Sequence, residues 1–235
     1  MRALFPCVVF GAVVAACSPK ASEQPAPNAA ARTAAAPAGE PVVPGLAGKT
    51  DAPAGTYTLD KAHSTLVFRL SHLGFSRFTA QFRKLDGELT FDPARPEAIR
   101  VTANIDPTSL ELPPPPAGFR EDLLGKTWLD AARYPAITFR AAKVVRTGPD
   151  TAEVVGDLTL HGVTKPITLA VKFNGGYPAN AMDGARIGFS AEGAFRRSDF
   201  GIGYGLPAPG TNLGVGDNVA VTLETEWNSG KPTGK

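Results

Sequence analysis

Cysteine is almost missing from this chain, with 2 in 235 residues. Cys7 lies inside an apolar N-terminal run and Cys17 closes that run, so everything beyond Cys17 has neither thiol nor disulfide. This excludes cysteine nucleophiles, thiol redox chemistry and cysteine-ligated zinc, and leaves the folded part to be held by its core alone. Runs of like charge are lacking too. The formal net charge is +2, and the lysines and arginines are scattered rather than clustered, which leaves no footprint for a nucleic-acid partner. Also absent are Gly-x-Ser-x-Gly, His-Glu-x-x-His and a phosphate-cradling glycine loop. Gly201-Ile202-Gly203-Tyr204-Gly205 is glycine-rich, but it follows no βαβ pattern and reads as a mobile loop. Ser64 stands beside His63, yet neighbours on a strand point to opposite faces, so the two make no nucleophile pair.

The apolar run Ala3–Val14 is too short to span a bilayer and has the length of a signal h-region, with Arg2 as its positive start. It ends in Val14-Ala15-Ala16-Cys17, which matches a bacterial lipobox. Residues 1–16 are therefore read as a lipoprotein signal peptide and Cys17 as the lipidation site, which expects an exported protein anchored in the cell envelope. Ser18, in place of an aspartate, points to the outer membrane in a Gram-negative cell. Residues 17–54 are dominated by Ala, Pro and Gly and hold no aromatic residue. Such a segment cannot bury enough apolar surface to offset its chain entropy, and it reads as a disordered tether. Residues 229–235 read as a flexible tail. What remains, 55–228, is the size of one domain.

That domain reads as all-β. Period-two alternation recurs between turn signals. Leu66, Phe68 and Leu70 share a face, with His72 on the same side. Phe78, Ala80 and Phe82 repeat the pattern, and Leu89 and Phe91 follow an Asp86-Gly87 interruption. Ile99, Val101, Ala103 and Ile105 form another face, as do Ile137 and Phe139. The stretches 154–161 and 166–173 look like a pair joined near Gly162, with Leu158 and Leu160 matched to Ile167, Leu169, Val171 and Phe173. Ile187 and Phe189 lead the next strand, and Val219, Val221 and Leu223 the last. One helix is expected over 119–130, because Leu123, Leu124 and Trp128 fall at helical spacing on one face. It follows Pro113–Pro116, an extended loop. Alternating strands with a single helix fit a sandwich or a barrel, and eight strands can close around one small ligand.

Several stretches in order resemble the YceI-like family. Tyr57-Thr58-Leu59-Asp60-Lys61-Ala62-His63-Ser64 comes first, then His72-Leu73-Gly74-Phe75-Ser76. Phe119-Arg120-Glu121-Asp122-Leu123-Leu124 and Trp128-Leu129-Asp130 follow, then Arg133-Tyr134-Pro135. Gly156-Asp157-Leu158-Thr159-Leu160-His161-Gly162-Val163-Thr164 is the most recognisable. Arg197-Ser198-Asp199-Phe200-Gly201 and Val215-Gly216-Asp217-Asn218-Val219 complete the series. The resemblance covers 57–227 and implies an extended eight-stranded antiparallel lipocalin-like barrel with one short helix and an apolar tunnel for a polyisoprenoid chain. This sequence departs from the family pattern at Asp122, where a histidine is usual. The Pro113–Pro116 run and the Leu206–Gly210 loop also look particular to this chain.

On that resemblance the inward faces become the candidate tunnel wall: Phe68, Leu70, His72, Phe78, Phe82, Leu89 and Phe91, then Leu123, Leu124 and Trp128 from the helix. Phe139, Leu158, Leu160, Leu169, Val171, Ile187, Phe189, Val221 and Leu223 continue it. A filled core is the alternative for the same pattern. A pyrophosphate head would need donors at the mouth, for which Arg77, Arg120, Lys126 and Arg197 are candidates. His63, His72 and His161 are not spaced as a compact metal motif, and His63 and His161 are expected to tie turns to the sheet. Asp199 is expected to pair with Arg197 or to cap a turn. The expected function is envelope lipid binding, holding an isoprenoid or similar long chain for sequestration or transport, with no catalytic residue, cofactor or metal. The alternatives are a lipid-modifying enzyme or an interaction lipoprotein with a filled core.

Overall fold

A computed structural model describes residues 50–230 of the chain. Eleven strands and one helix are present: β1 (Gly55–Leu59), β2 (Thr65–His72), β3 (Ser76–Phe82), β4 (Leu85–Phe91), β5 (Arg100–Ile105), β6 (Leu110–Glu111), α1 (Phe119–Leu124), β7 (Ile137–Arg146), β8 (Thr151–Leu160), β9 (Val163–Tyr177), β10 (Arg186–Arg196) and β11 (Asn218–Asn228). Every pairing is antiparallel. The order β1-β4-β5-β7-β8-β9-β10-β11 closes on itself through Thr58↔Asn228 and Leu59↔Trp227, which makes an eight-stranded barrel. Closure removes the free edge of an open sheet. It also settles barrel against sandwich, which alternation alone left open.

Beside this ring stand β2, β3 and β6. Strands β1 and β2 lie end to end along β11, where β2 pairs through Leu66↔Leu223 and Phe68↔Val221. β3 continues β4 in the same way, and β6 pairs with β3. Local chemistry makes the breaks. At the β1–β2 bend Asp60 accepts from the Ala62 amide at 3.0 Å and from its own turn partner His63. Between β5 and β6, Asp106 caps a 3-10 turn at Pro107–Ser109 by accepting from the Thr108 amide at 2.8 Å. Proline at the first position suits such a turn, since its missing N–H would be unpaired there. Among the described residues no pairing joins β6 to β7, and α1 with its following turns stands at that opening. Arg120 there donates to the carbonyls of Leu110 and Thr108, and Phe119 meets Phe78 edge to face at 6.2 Å between centroids.

The hairpins follow their turn residues. β8 and β9 are joined by His161 and Gly162 alone, with φ of 51° and 75°. Two left-handed residues give the turn whose twist matches the flanking strands. Gly162 has a second reason to lack a side chain, because a Cβ there would run into the Tyr134 ring. At the tip of β2–β3, Leu73 and Gly74 are likewise left-handed.

Two sequence expectations change. The helix runs over 119–124 and not to 130. Gly125 leaves the helical region at ψ 175°, and the chain doubles back so that the Leu129 and Ala131 amides donate to the carbonyls of Leu123 and Leu124. Glycine is a poor helix interior, and one helical turn of packing does not carry the helix through it. The fold also reaches beyond 55–228. Ala52 is buried in the core, the Tyr57 hydroxyl donates to the Pro53 carbonyl at 2.7 Å, and Ser229 exchanges hydrogen bonds with Ala185. The expected signal peptide, the Cys17 lipidation site, the tether up to residue 49 and the tail from 231 lie outside the described residues. No helix of the described residues is long and apolar enough to cross a membrane.

Candidate functional site

Inside the barrel the apolar side chains are packed to two densities. At the corner formed by β1, β4 and the start of β10, Tyr57 and Ile187 are each 1% exposed. Phe91 stacks on Phe173 with centroids 5.9 Å apart and meets Tyr57 edge-on at 6.0 Å. Elsewhere the inward residues Leu66, Phe68, Val154, Ile167, Val171 and Val221 are only partly buried. They face inward and still have open space in front of them.

That space is a cavity of about 650 Å³. It holds about twenty groups the size of a water molecule, at ~30 Å³ apiece. Along β8 its wall runs from Ala152 to Leu160, about 26 Å of strand at ~3.3 Å per residue. The shape is therefore that of a long bore. Leu66, Phe68, Leu70 and Phe82 supply one side, Ile99, Val101 and Ala103 another, and Val154, Ile167 and Val171 a third. His72, Ser76, Phe78, Pro116, Phe119 and Val215 surround one end.

The expected wall residues can now be placed. Phe68, Leu70, His72, Phe78, Phe82, Leu89, Leu123, Trp128, Phe139, Leu158, Leu160, Leu169, Val171, Phe189, Val221 and Leu223 border the cavity. Phe91 and Ile187 lie off its wall, in the packed corner, and Leu124 packs against the core from outside the bore. Leu66, Ile99, Val101 and Ile167, placed on strand faces by alternation but not among the expected wall residues, border it too, as does Trp227, which keeps the parity of β11. Phe195, Ile202 and Val215 also border it. Ile202 and Val215 come from the irregular 201–217 segment, where no period could have marked them.

Room for the bore depends on two glycines. A Cβ at Gly156 would strike the Phe139 ring, and one at Gly87 would stand 3.1 Å from the Trp227 ring. Both rings thus approach a bare backbone where a side chain would displace them. The Trp227 indole is held there by donating to Thr225 Oγ1 at 3.1 Å.

Polar groups at the bore are few, and their partners are visible. Arg197 is 3% exposed. It donates to four carbonyls, of Gly216, Ile202, Tyr204 and Val215, at 2.7–2.9 Å. Its guanidinium also lies 5.1 Å from the Trp128 ring centroid. Burial pushes its pKa down. Arg197 therefore fastens the Gly201–Gly216 segment to the barrel, so that segment is tied down where the sequence suggested a mobile loop. Its donors are spent on the backbone, so Arg197 is no head-group donor, and Arg120 is likewise used on carbonyls. Asp199 does not pair with Arg197. The pair in that region is Arg196–Asp217 at 2.9 Å, with Asp217 also accepting from the Ser198 amide.

His161 sits in the β8–β9 turn against Phe200 O at 3.2 Å, and His63 lies 2.9 Å from Asp60. Neither reaches a strand directly, contrary to the expectation that they tie turns to the sheet: His63 bonds within the β1–β2 bend, and His161 reaches the 3-10 turn at Arg197–Phe200. Asp60, His63 and Glu226 come within 4.8 Å of one another. Their charge is already met by Arg186, whose Nη1 lies 2.7 Å from Asp60 and 3.0 Å from Glu226, with Asp183 on its other side. Burial works to raise the Asp60 carboxyl, but the hydrogen bonds from His63 and Arg186 win and hold it well below the usual carboxylate range. The hydrogen bond to Asp60 raises His63 in turn, and Arg186 holds Asp183 at about 2. This is an ion-pair knot joining β1, β10 and β11.

A long bore in a closed antiparallel barrel narrows the family, and the comparison decides it. The model of the YceI-like domain matches residues 57–227. The chain belongs to the YceI-like family. Over 151 residues it is 39% identical to a UPF0312 protein of Pseudomonas savastanoi, covering 63% of this chain and 77% of that protein. Among solved structures, BcnA of Burkholderia cenocepacia superposes at a TM-score of 0.60 with 26% identity, over 72% of this chain and 98% of BcnA. A polyisoprenoid-binding domain from Saccharophagus degradans superposes at 0.55 with 18% identity, over 73% and 97% of the two chains, a likeness of fold.

Proposed function

We propose that this YceI-like protein binds a long, flexible apolar chain of the isoprenoid class along its bore, and that it sequesters or carries that lipid in the cell envelope. The observation that carries the reading is the cavity itself, about 650 Å³ walled by aliphatic and aromatic side chains along the length of β8. Such a bore rewards a ligand by the apolar area it removes from water, ~25 cal/mol per Å² before the losses of ordering the chain. The polyisoprenoid-binding domain of Saccharophagus degradans has the same fold, and that likeness is the reason for naming an isoprenoid among long-chain lipids. The lipobox at Cys17 supports the envelope, with the acyl anchor and the Ala/Pro-rich segment holding the barrel close to membrane.

Turnover is not part of the reading. The titratable groups bordering the bore are His72, Asp86 and Arg197. Asp86 is paired to Lys61 at 3.0 Å on the exposed side, and Arg197 is spent on carbonyls. Among the described residues no acid and base converge on one point of the bore where a reacting atom would sit.

The test is native mass spectrometry of the purified chain before and after incubation with prenyl chains and quinones, with extraction of any lipid that copurifies. One bound chain per protein is expected, with affinity rising with chain length until the bore is full. An unshifted mass with every chain, at concentrations that saturate a control lipocalin, would overturn the reading.

A further inference from the structure

The end of the bore where its wall reaches the exposed His72 and Ser76 lies among three loops with an unusual composition. Residues 70–76, 112–119 and 201–216 contain no Asp, Glu, Lys or Arg, in a chain that is 20% charged. Two of them, 70–76 and 201–216, present large apolar groups to solvent: Phe75 at 83% exposure, Leu213 at 66% and Tyr204 at 61%. They form one rim. The Leu73 amide donates to the Gly214 carbonyl at 2.7 Å, and the Val215 amide donates to Gly205 at 2.7 Å. Tyr204 meets Trp128, on the bore wall, at 5.5 Å between centroids. An exposed apolar patch of this kind marks an interaction surface.

Charge says what covers it. Behind the apolar tip, the β2–β3 hairpin carries Arg69 and Arg77 facing outward, and there is no acid between Asp60 and Asp86. Large apolar residues in front and arginines one step behind match the layering of a bilayer surface, with acyl boundary first and anionic head groups next. The rim also surrounds the opening of an apolar bore. A protein partner seated there would stopper it, whereas lipid would continue it. We propose that this rim docks on the surface of an anionic lipid bilayer, with Phe75 and Leu213 entering the head-group boundary, so that the bore opens directly into membrane. The proposal goes beyond the lipid-chain reading and does not depend on it, because docking needs no cargo.

A site-resolved fluorophore separates this from attachment through the N-terminus. The full chain with Cys7→Ser and Cys17→Ser receives a single cysteine at Phe75→Cys, Leu213→Cys or Met182→Cys. Met182, at 86% exposure, is on the β9–β10 loop at the far end of the barrel. Each is labelled with an environment-sensitive dye and mixed with vesicles of phosphatidylethanolamine and phosphatidylglycerol that contain no isoprenoid. Labels at 75 and 213 should shift to the blue and lose iodide quenching several-fold, while the label at 182 stays water-like. All three positions are exposed, so the variants keep the fold. Water-like emission at 75 and 213 while the protein sediments with the vesicles would overturn the proposal. So would a shift at 75 that appears without vesicles and grows with protein concentration, which would mark a contact between copies. Neither result bears on whether the bore binds a chain, which the mass measurement decides separately.

Discussion

The packed corner at β1, β4 and β10 and the bore beside it are built from the same kinds of residue and differ in what they leave empty. Tyr57, Ile187 and Phe91 interlock until little space remains, whereas Phe68, Ile167 and Val221 face inward and stop short of one another. The corner can supply stability by close packing, since interiors at crystal-like density feel even one methylene. The bore forgoes part of that gain and keeps its surface for something else. Close packing and open space are thus assigned to different parts of one barrel.

One residue type occurs in both places and gives the largest contrast. Ile187 is 1% exposed and off the cavity wall, while Ile167 is partly buried and on it. Ile187→Ala should cost about 4 kcal/mol, a transfer term plus a new void that tight neighbours cannot refill. Ile167→Ala should cost about 1 kcal/mol, because it only enlarges a space already there. Urea unfolding of the lipid-free variants measures both, and equal losses would mean that the bore is filled. Next in size is Arg197, which serves neither region's packing but fastens the rim loop. Arg197→Met strands four carbonyls in a site that is 3% exposed. It should lose about 3 kcal/mol, at somewhat under ~1 kcal/mol for each of the four bonds, since all but the one to Ile202 are only partly buried. Proteolysis within 201–216 should accelerate with it, and an intact, protected loop would show that those bonds are not what holds it.

Much of this contrast was hidden in the sequence, for a physical reason. Alternation reports which face of a strand points inward, and that is why Phe68, Leu158, Leu160 and Val221 could be read as interior. It does not report the distance across the barrel, so Ile187 and Ile167 looked alike. Strand closure, too, depends on Leu59 meeting Trp227, a pairing between the two ends of the domain that no local pattern encodes. The helix was misjudged in length because Leu124 and Trp128 keep helical spacing on either side of Gly125, which turns the chain instead. Arg197 is a head-group candidate in the sequence only because a pyrophosphate would need donors at the mouth. Its actual role depends on carbonyls from the 202–216 stretch, which only the folded chain brings together. The rim's lack of charge was legible throughout, but it takes the fold to show that its three loops are neighbours.

The smallest expected effect is the sharpest on function, because it adds atoms rather than removing them. Val154→Phe places a ring in the bore, and Ala185→Val adds two methyl groups beside the packed corner, where Ala185 is 1% exposed. Overpacking a dense site forces shifts that cost about 1–3 kcal/mol, so Ala185→Val should be destabilising by that amount. Val154→Phe has vacant volume to enter, and its lipid-free stability should stay within about 0.5 kcal/mol of the parent or rise slightly, as the added ring gains contacts. The two variants should then reverse order in lipid capture. Ala185→Val binds as the parent does, while Val154→Phe loses affinity for long chains first, because the ring blocks part of the length and short chains still fit above it. Binding isotherms over a series of chain lengths measure this. Loss of all chain lengths to the same degree would place the bound lipid elsewhere than along β8, and stability losses of equal size in the two variants would erase the distinction between corner and bore.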